Sequence, residues 1–108
     1  MTRVLFFVDS EGTYKGFKIY GHTGYAEAGE DIVCSAISAL SANAVNSIEA
    51  FTKDKFSCDV EDGIIVFNFT GSGISTESQL LINSLALGLE NIRKAYGNQF
   101  INIRTEEV

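Results

Sequence analysis

The feature that most limits the possible fold is a change in the spacing of apolar residues along the chain. Residues 31–51 and Thr76–Tyr96 carry apolar side chains at steps of three and four, the spacing that lines one face of a helix. The segments around them are short, rich in β-branched and aromatic residues, and separated by glycine-containing turns. The expected order is therefore ββαββαβ, an α+β fold in which two helices pack on a mostly antiparallel sheet.

The strand segments are marked by alternation of apolar and polar residues and by the turns between them. Hairpins are expected at the turn that begins with Asp9 and at Glu61-Asp62-Gly63. The expected strands are residues 3–8, 14–20, 56–60, 64–69 and 99–104, and residues 105–108 are expected to form a frayed tail.

Each predicted helix has one stripe of apolar residues that should face the core. In the second helix, Leu80, Ile82 and Leu87 fall outside this stripe, so part of its surface needs cover. We expect a symmetric homodimer to supply that cover. The predicted stripes are Val33, Ile37, Leu40, Ala44, Ile48 and Phe51 in the first helix, and Leu81, Leu85, Leu89, Ile92 and Tyr96 in the second.

The length and charge of the chain argue against several classes of function. With 108 residues, the chain is expected to form a single domain, residues 1–108, around one core. No stretch has the roughly 20 uninterrupted apolar residues that span a bilayer, so we expect no membrane segment and a cytoplasmic location. Acidic residues outnumber basic ones by 14 to 8, which argues against direct nucleic-acid binding and favours a basic partner.

Histidine and cysteine are scarce, and this narrows the chemistry open to the chain. His22 is the single histidine, and Cys34 and Cys58 belong to no CxxC pair, so a Cys/His zinc site cannot be completed. We expect no metal and no cofactor. A reducing cytoplasm argues against a disulfide, and Cys58 is interpreted as a structural residue of a strand. Any Cys-His chemistry must therefore use His22.

His22 and Cys34 lie at the ends of two predicted elements and are separated by a glycine-rich loop. His22 follows a strand, and Cys34 falls in the first turn of a helix, where backbone N–H groups favour a thiolate. A thiolate is a nucleophile, and an imidazole within hydrogen-bond reach holds it as an ion pair. Gly21, Gly24 and Gly29 suit a mobile lid over an extended peptide, and they match no phosphate-binding motif.

Each of these residues also has an ordinary structural interpretation. A cysteine in an alanine-rich helix is usually a small buried residue, and a histidine at a strand end usually lies on the surface. Asp31 fits either a helix-capping carboxylate or a residue that orients His22. Ser38, four residues after Cys34, fits either a substrate contact or a hydroxyl bonded back to its own helix. The spacing of the residues leaves these alternatives open.

The most specific information lies in one motif. It consists of Gly21-His22, a short loop, Gly29-x-Asp31-Ile32-Val33-Cys34, and then Ser38-x-Leu40. This motif resembles the ribosomal-processing cysteine protease family of bacteria. The resemblance implies a homodimeric endopeptidase that removes a short N-terminal extension from a large-subunit ribosomal protein. It implies a substrate that is hydrophobic around the cleavage site and basic beyond it. It also implies that His22 and Cys34 form the catalytic dyad, with Asp31 and Ser38 as supporting residues.

Two other functions are compatible with the same residues. A non-catalytic ribosome-assembly factor would bind a basic ribosomal protein through its acidic surface, and it would not need both His22 and Cys34. A redox-sensing or acyl-carrying thiol protein would use His22 only to tune Cys34. Cleavage of a peptide by the wild type, with trapping of the same peptide by a Cys34→Ala variant, would separate the three functions.

Overall fold

The computed structural model of the protein describes residues 1–21 and 30–108, with the backbone alone for residues 30 and 31. Within these ranges the elements follow the predicted order of two strands, a helix, two strands, a helix and a strand. The elements are β1 (Thr2–Val8), β2 (Tyr14–Tyr20), α1 (Glu30–Phe51), β3 (Phe56–Glu61), β4 (Ile64–Phe69), α2 (Thr76–Tyr96) and β5 (Ile101–Glu107).

The strands of the described chain form one sheet in the order β3-β4-β2-β1-β5. Neighbouring strands are antiparallel except for β1 and β5, which run parallel to each other. The β3–β4 hairpin turns through Asp62 and Gly63, whose φ angles of 51° and 76° fit a type I′ turn. These observations confirm the predicted α+β fold with a mostly antiparallel sheet.

One face of the sheet supplies the core. Its inward side chains form a single cluster with buried residues of α1 and α2. The rings of Phe17 on β2 and Phe67 on β4 are fully buried in this cluster and stack with their centroids 5.1 Å apart. Because aromatic rings bury large apolar areas, this stack ties the two antiparallel hairpins of the sheet together.

By length and composition, α1 has one segment that is apolar enough to span a membrane, Ile32–Phe51. A core helix passes the same test, and α1 buries Val33, Ile37 and Ile48 in the core. Phe51, predicted to continue this stripe, is 76% exposed at the last position of the helix. The prediction for Phe51 was wrong, and the buried stripe ends at Ile48.

The buried face of α2 agrees with the prediction in its central turns and differs at two positions. Ile82, predicted to lie outside the buried stripe, is fully buried, and Tyr96, predicted to lie within it, is 42% exposed. Leu80 and Leu87 are 70% and 64% exposed, in agreement with their predicted position outside the stripe. Of the three apolar residues predicted to be exposed in the single chain, Leu80 and Leu87 therefore are exposed and Ile82 is not.

A hydrogen-bond network fixes the start of α2. Ser75 is the N-cap residue, and its hydroxyl oxygen accepts a hydrogen bond of 3.1 Å from the Ser78 N–H. The Asp54 carboxylate accepts hydrogen bonds from the N–H and hydroxyl of Ser75, at 3.0 Å and 2.6 Å, and from the hydroxyl of Ser78. These bonds, chiefly that from the Ser75 hydroxyl and then that from the Ser78 hydroxyl, hold the pKa of Asp54 below its ordinary value.

Residues 105–108, predicted to form a frayed tail, instead extend β5 along β1. The parallel pairing continues as far as Glu107, which lies opposite Val8, and the Val108 N–H donates to the Val8 carbonyl oxygen at 2.8 Å. The side chains of residues 104–108 are all exposed and show no apolar alternation. The prediction was wrong here because backbone pairing with a distant strand, rather than a side-chain pattern, holds this segment.

Candidate active site

Cys34 lies one turn into α1, on a part of the helix that the core holds in place. Val33 and Ile37, on either side of it in the chain, are buried among the core residues. Cys34 itself is half-buried, and its Sγ lies 3.7 Å from the Oγ1 of Thr2 on β1. The thiol therefore contacts the first residues of the sheet, close to the N-terminal end of α1.

The end of β2 is packed against the same part of β1. Gly21 has a φ of +94°, and a Cβ at this position would lie 2.6 Å from the Met1 carbonyl oxygen. A side chain is excluded on both counts, which explains a glycine directly before His22. Gly21 approaches Met1, and Cys34 contacts Thr2. The described residues before and after the glycine-rich loop therefore lie next to two adjacent residues of the chain.

Several predicted site residues lie outside the part of the chain that the structure describes. His22, Gly24 and Gly29 fall within residues 22–29, and the side chain of Asp31 is likewise outside. The catalytic dyad, the lid and the role of the aspartate therefore stay predictions. Ser38 is described: it is exposed, and it lines a groove that begins one helical turn after the predicted nucleophile.

This apolar groove has a volume of about 370 Å³ and runs between α1 and strands β2, β3 and β4. Its lining residue nearest to Cys34 along α1 is Ile37, followed by Ser38. Because helical residues three and four apart are about 5–6 Å from each other, the groove begins within one helical turn of Cys34. The larger apolar residues that line it include Ile19, Ile37, Val45, Val60 and Ile65, together with Cys58.

The β3 wall of the groove is the part that sequence reasoning missed. Cys58 and Val60 alternate along β3 with the exposed residues Ser57 and Asp59, so the two line the same face. The alternation was a usable signal for that face. It did not indicate an open groove, because this depends on how far α1 extends across the sheet.

The two thiols of the described chain have different surroundings and form no disulfide. Burial in the groove wall, and to a lesser extent the neighbouring charge of Asp59, raises the pKa of the Cys58 thiol above its ordinary value. A thiol that stays protonated is a poor nucleophile. Cys58 therefore fits a role in lining the groove and not a role in attack.

Carboxylates of the β3–β4 hairpin lie mainly on the face of the sheet opposite the groove. Asp59 and Glu61 alternate along β3 with the groove residues Cys58 and Val60, and together with Asp62 they line a separate shallow pocket. The groove itself is therefore apolar, and the acidic residues lie behind its β3 wall. A local concentration of negative charge attracts a cationic segment.

The chain is similar to cysteine proteases over nearly its whole length. The family model described as "Cysteine protease Prp" matches residues 1–101. The ribosomal processing cysteine protease Prp of Bacillus subtilis is 31% identical over 85 residues, which cover 74% of this chain and 76% of that protein. The protein of the same name from Staphylococcus aureus is 29% identical over 98 residues, or 90% of each chain.

Solved structures of such proteases have the same fold. A crystal structure of an essential ribosomal processing protease Prp from S. aureus in complex with a substrate peptide has a TM-score of 0.89 and 26% identity, and covers 98% of this chain and 100% of that chain. A second S. aureus structure, with a covalently linked product peptide, has a TM-score of 0.86 and 27% identity over the same shares. These similarities confirm the fold and the resemblance carried by the motif around Cys34. The chain therefore belongs to the cysteine protease Prp family and is a hydrolase of peptide bonds.

Proposed function

We propose that this protease removes a short N-terminal extension from a large-subunit ribosomal protein in the cytoplasm. The relatives from Bacillus subtilis and Staphylococcus aureus are named ribosomal processing cysteine proteases, and one S. aureus structure holds a substrate peptide. The observation that carries the proposal is the apolar groove of about 370 Å³, which begins within one helical turn of Cys34 and suits bulky apolar side chains at the cut. The formal net charge of -6 of the whole chain suits a basic partner.

Cys34 is the proposed nucleophile and His22 the proposed base. The imidazole takes the thiol proton, and the sulfur attacks the scissile carbonyl carbon to form a tetrahedral intermediate. The imidazolium then donates its proton to the departing amine, the C–N bond breaks, and the acyl group stays on sulfur as a thioester. His22 next takes a proton from water, the hydroxide oxygen displaces the thiolate, and the carboxylic acid product leaves.

The start of α1 supports this reaction in two ways. The first N–H groups of a helix have no partner within the helix, so they are available to the oxyanion of the tetrahedral intermediate. Loss of one such donor typically slows an acyl transfer by ~10²–10³-fold. Asp31 is proposed to orient His22, and Ser38 to contact the substrate at the mouth of the groove.

The active form is proposed to be a symmetric homodimer. Leu80 and Leu87 are 70% and 64% exposed in the single chain, and seven residues place them two turns apart on the same side of α2. Apolar side chains grouped in this way need cover, and a second copy of the chain offers the same surface in return.

The test is cleavage of a ribosomal protein that carries its N-terminal extension, followed by mass spectrometry of the products. The wild type should release one N-terminal peptide, and Cys34→Ala and His22→Ala should each lose about 10³-fold or more in turnover. Undiminished cleavage by Cys34→Ala would show that Cys34 is not the nucleophile. Cleavage of unrelated apolar peptides, but not of the ribosomal extension, would overturn the proposed substrate and leave the dyad intact.

A further inference from the structure

We infer that Thr2 is a positioning residue for the Cys34 thiol, a role that rests on the proposed nucleophile. Thr2 lies at the start of β1, its side chain is 1% exposed, and its Oγ1 lies 3.7 Å from the Cys34 Sγ. A hydroxyl buried so completely needs a hydrogen-bond partner, and a cysteine sulfur both donates and accepts. The contact joins residues that are 32 positions apart, and no local pattern in the sequence indicates it.

Both ends of this contact are anchored in the core. Thr2 pairs with Ile101 of β5, and its N–H donates to the Phe100 carbonyl oxygen at 3.0 Å. On the helix side, the fully buried Val33 holds the backbone directly before Cys34. Because neither side can shift without moving core residues, the hydroxyl can set the direction in which the sulfur points.

The contact becomes more specific when the thiol loses its proton. In the neutral state either atom can donate, whereas a thiolate only accepts, so the Thr2 hydroxyl must then be the donor. Hydrogen bonds to a charged atom are shorter and stronger than neutral ones. The bond would hold the attacking sulfur in one orientation as the scissile carbonyl approaches, and orientation of this kind lowers the barrier to attack.

The start of β1 also lies close to the end of β2. Gly21, the residue before the predicted base, approaches the carbonyl oxygen of Met1, which directly precedes Thr2. Met1 therefore lies next to Gly21, and Thr2 contacts the Cys34 thiol. One strand end thus meets the described chain both before and after the glycine-rich loop.

The test compares Thr2→Val, which keeps the shape of the side chain, with Thr2→Ser, which keeps the hydroxyl. We expect Thr2→Val to lower kcat for peptide cleavage by about tenfold, the effect of losing one hydrogen bond to a charged group, with KM changed less than about twofold. Thr2→Ser should restore kcat to within about threefold of the wild type. A purely structural role would not give this separation of kcat from KM, nor rescue by serine.

A matched control is available at the far end of α1. Thr52→Val makes the same chemical change and removes a hydroxyl that donates to the Ile48 carbonyl oxygen at 2.8 Å. Thr52 lies about 27 Å from Cys34 along the helix axis. Measured at a temperature where it is folded, it should keep the wild-type kcat.

Wild-type kcat in Thr2→Val would overturn the inference, and so would a loss that Thr2→Ser does not restore, since packing would then account for it. Should Thr2→Val fail to fold, Thr2→Ala supplies the variant without a hydroxyl, and its comparison with Thr2→Ser decides in the same way. Cleavage by Cys34→Ala would refute the proposed nucleophile itself, a result separate from all of these.

Discussion

Replacement of Gly21 by alanine is expected to cost more stability than a change at a strand end usually does. Gly21 has a φ of +94°, and an added Cβ would lie 2.6 Å from the Met1 carbonyl oxygen. The left-handed conformation costs an alanine roughly 1–2 kcal/mol. Forcing a methyl group against packed backbone adds about 1–3 kcal/mol. The free energy of unfolding should therefore fall by about 2–5 kcal/mol.

Gly12→Ala is the matched control for this change. Gly12 has a similar φ of +81°, but an added Cβ would meet nothing within 4 Å. It should lose only the conformational cost, roughly 1–2 kcal/mol. Urea unfolding followed by circular dichroism measures both variants, and each 1 kcal/mol should also lower Tm by about 4 °C or more in a domain of this size. The difference between the two variants isolates the approach of residue 21 to Met1.

The Gly21 variant should also lose activity. Relief of the contact with Met1 would shift the backbone directly before His22, and a displacement of about 1 Å at a reacting group costs up to about 10²-fold in rate. At a temperature where both variants are folded, kcat/KM should fall by about 10- to 100-fold for Gly21→Ala and stay unchanged for Gly12→Ala. Equal stabilities of the two variants would refute the packing argument. Reduced stability with wild-type kcat/KM would refute the proposed link between the start of β1 and the dyad.

Iodoacetamide should alkylate Cys34 faster than Cys58, because burial raises the pKa of the Cys58 thiol. Equal labelling rates, measured by mass spectrometry, would contradict the physical argument for Cys34 as the nucleophile. Hydrogen bonds from two serines keep the pKa of Asp54 low in the folded state. The ionised carboxylate therefore stabilises the fold above the unfolded-state pKa, and this stabilisation is lost as the pH falls through the folded-state pKa. Asp54→Asn should thus be less stable than the wild type at neutral pH, and the two stabilities should converge in acid; a constant difference in urea midpoints would contradict this. A variant with Leu80→Lys and Leu87→Lys should be monomeric by light scattering, whereas a wild type that is itself monomeric at micromolar concentration would refute the dimer.

The sequence was sufficient for most of the secondary structure because the signals involved are local. β2, β4 and α2 begin and end at the predicted residues, since alternation, helical spacing and turn residues are properties of near neighbours. The same holds for the motif around Cys34, which alone carried the resemblance to the protease family. The predicted hairpin turn at Asp62 and Gly63 likewise depends on the two residues that form it.

The tertiary structure decided the features that join distant parts of the chain. The strand at the C-terminus extends to Glu107 because β1, about a hundred residues earlier, offers it backbone partners. Thr2 contacts the predicted nucleophile, and Cys58 lines the groove, because the packing of α1 on the sheet brings these residues together. Hydrophobic spacing indicates that a face is apolar, but it does not indicate which element covers that face or how far. Burial, side-chain contacts and an open groove each depend on pairs of residues that only the folded chain brings together.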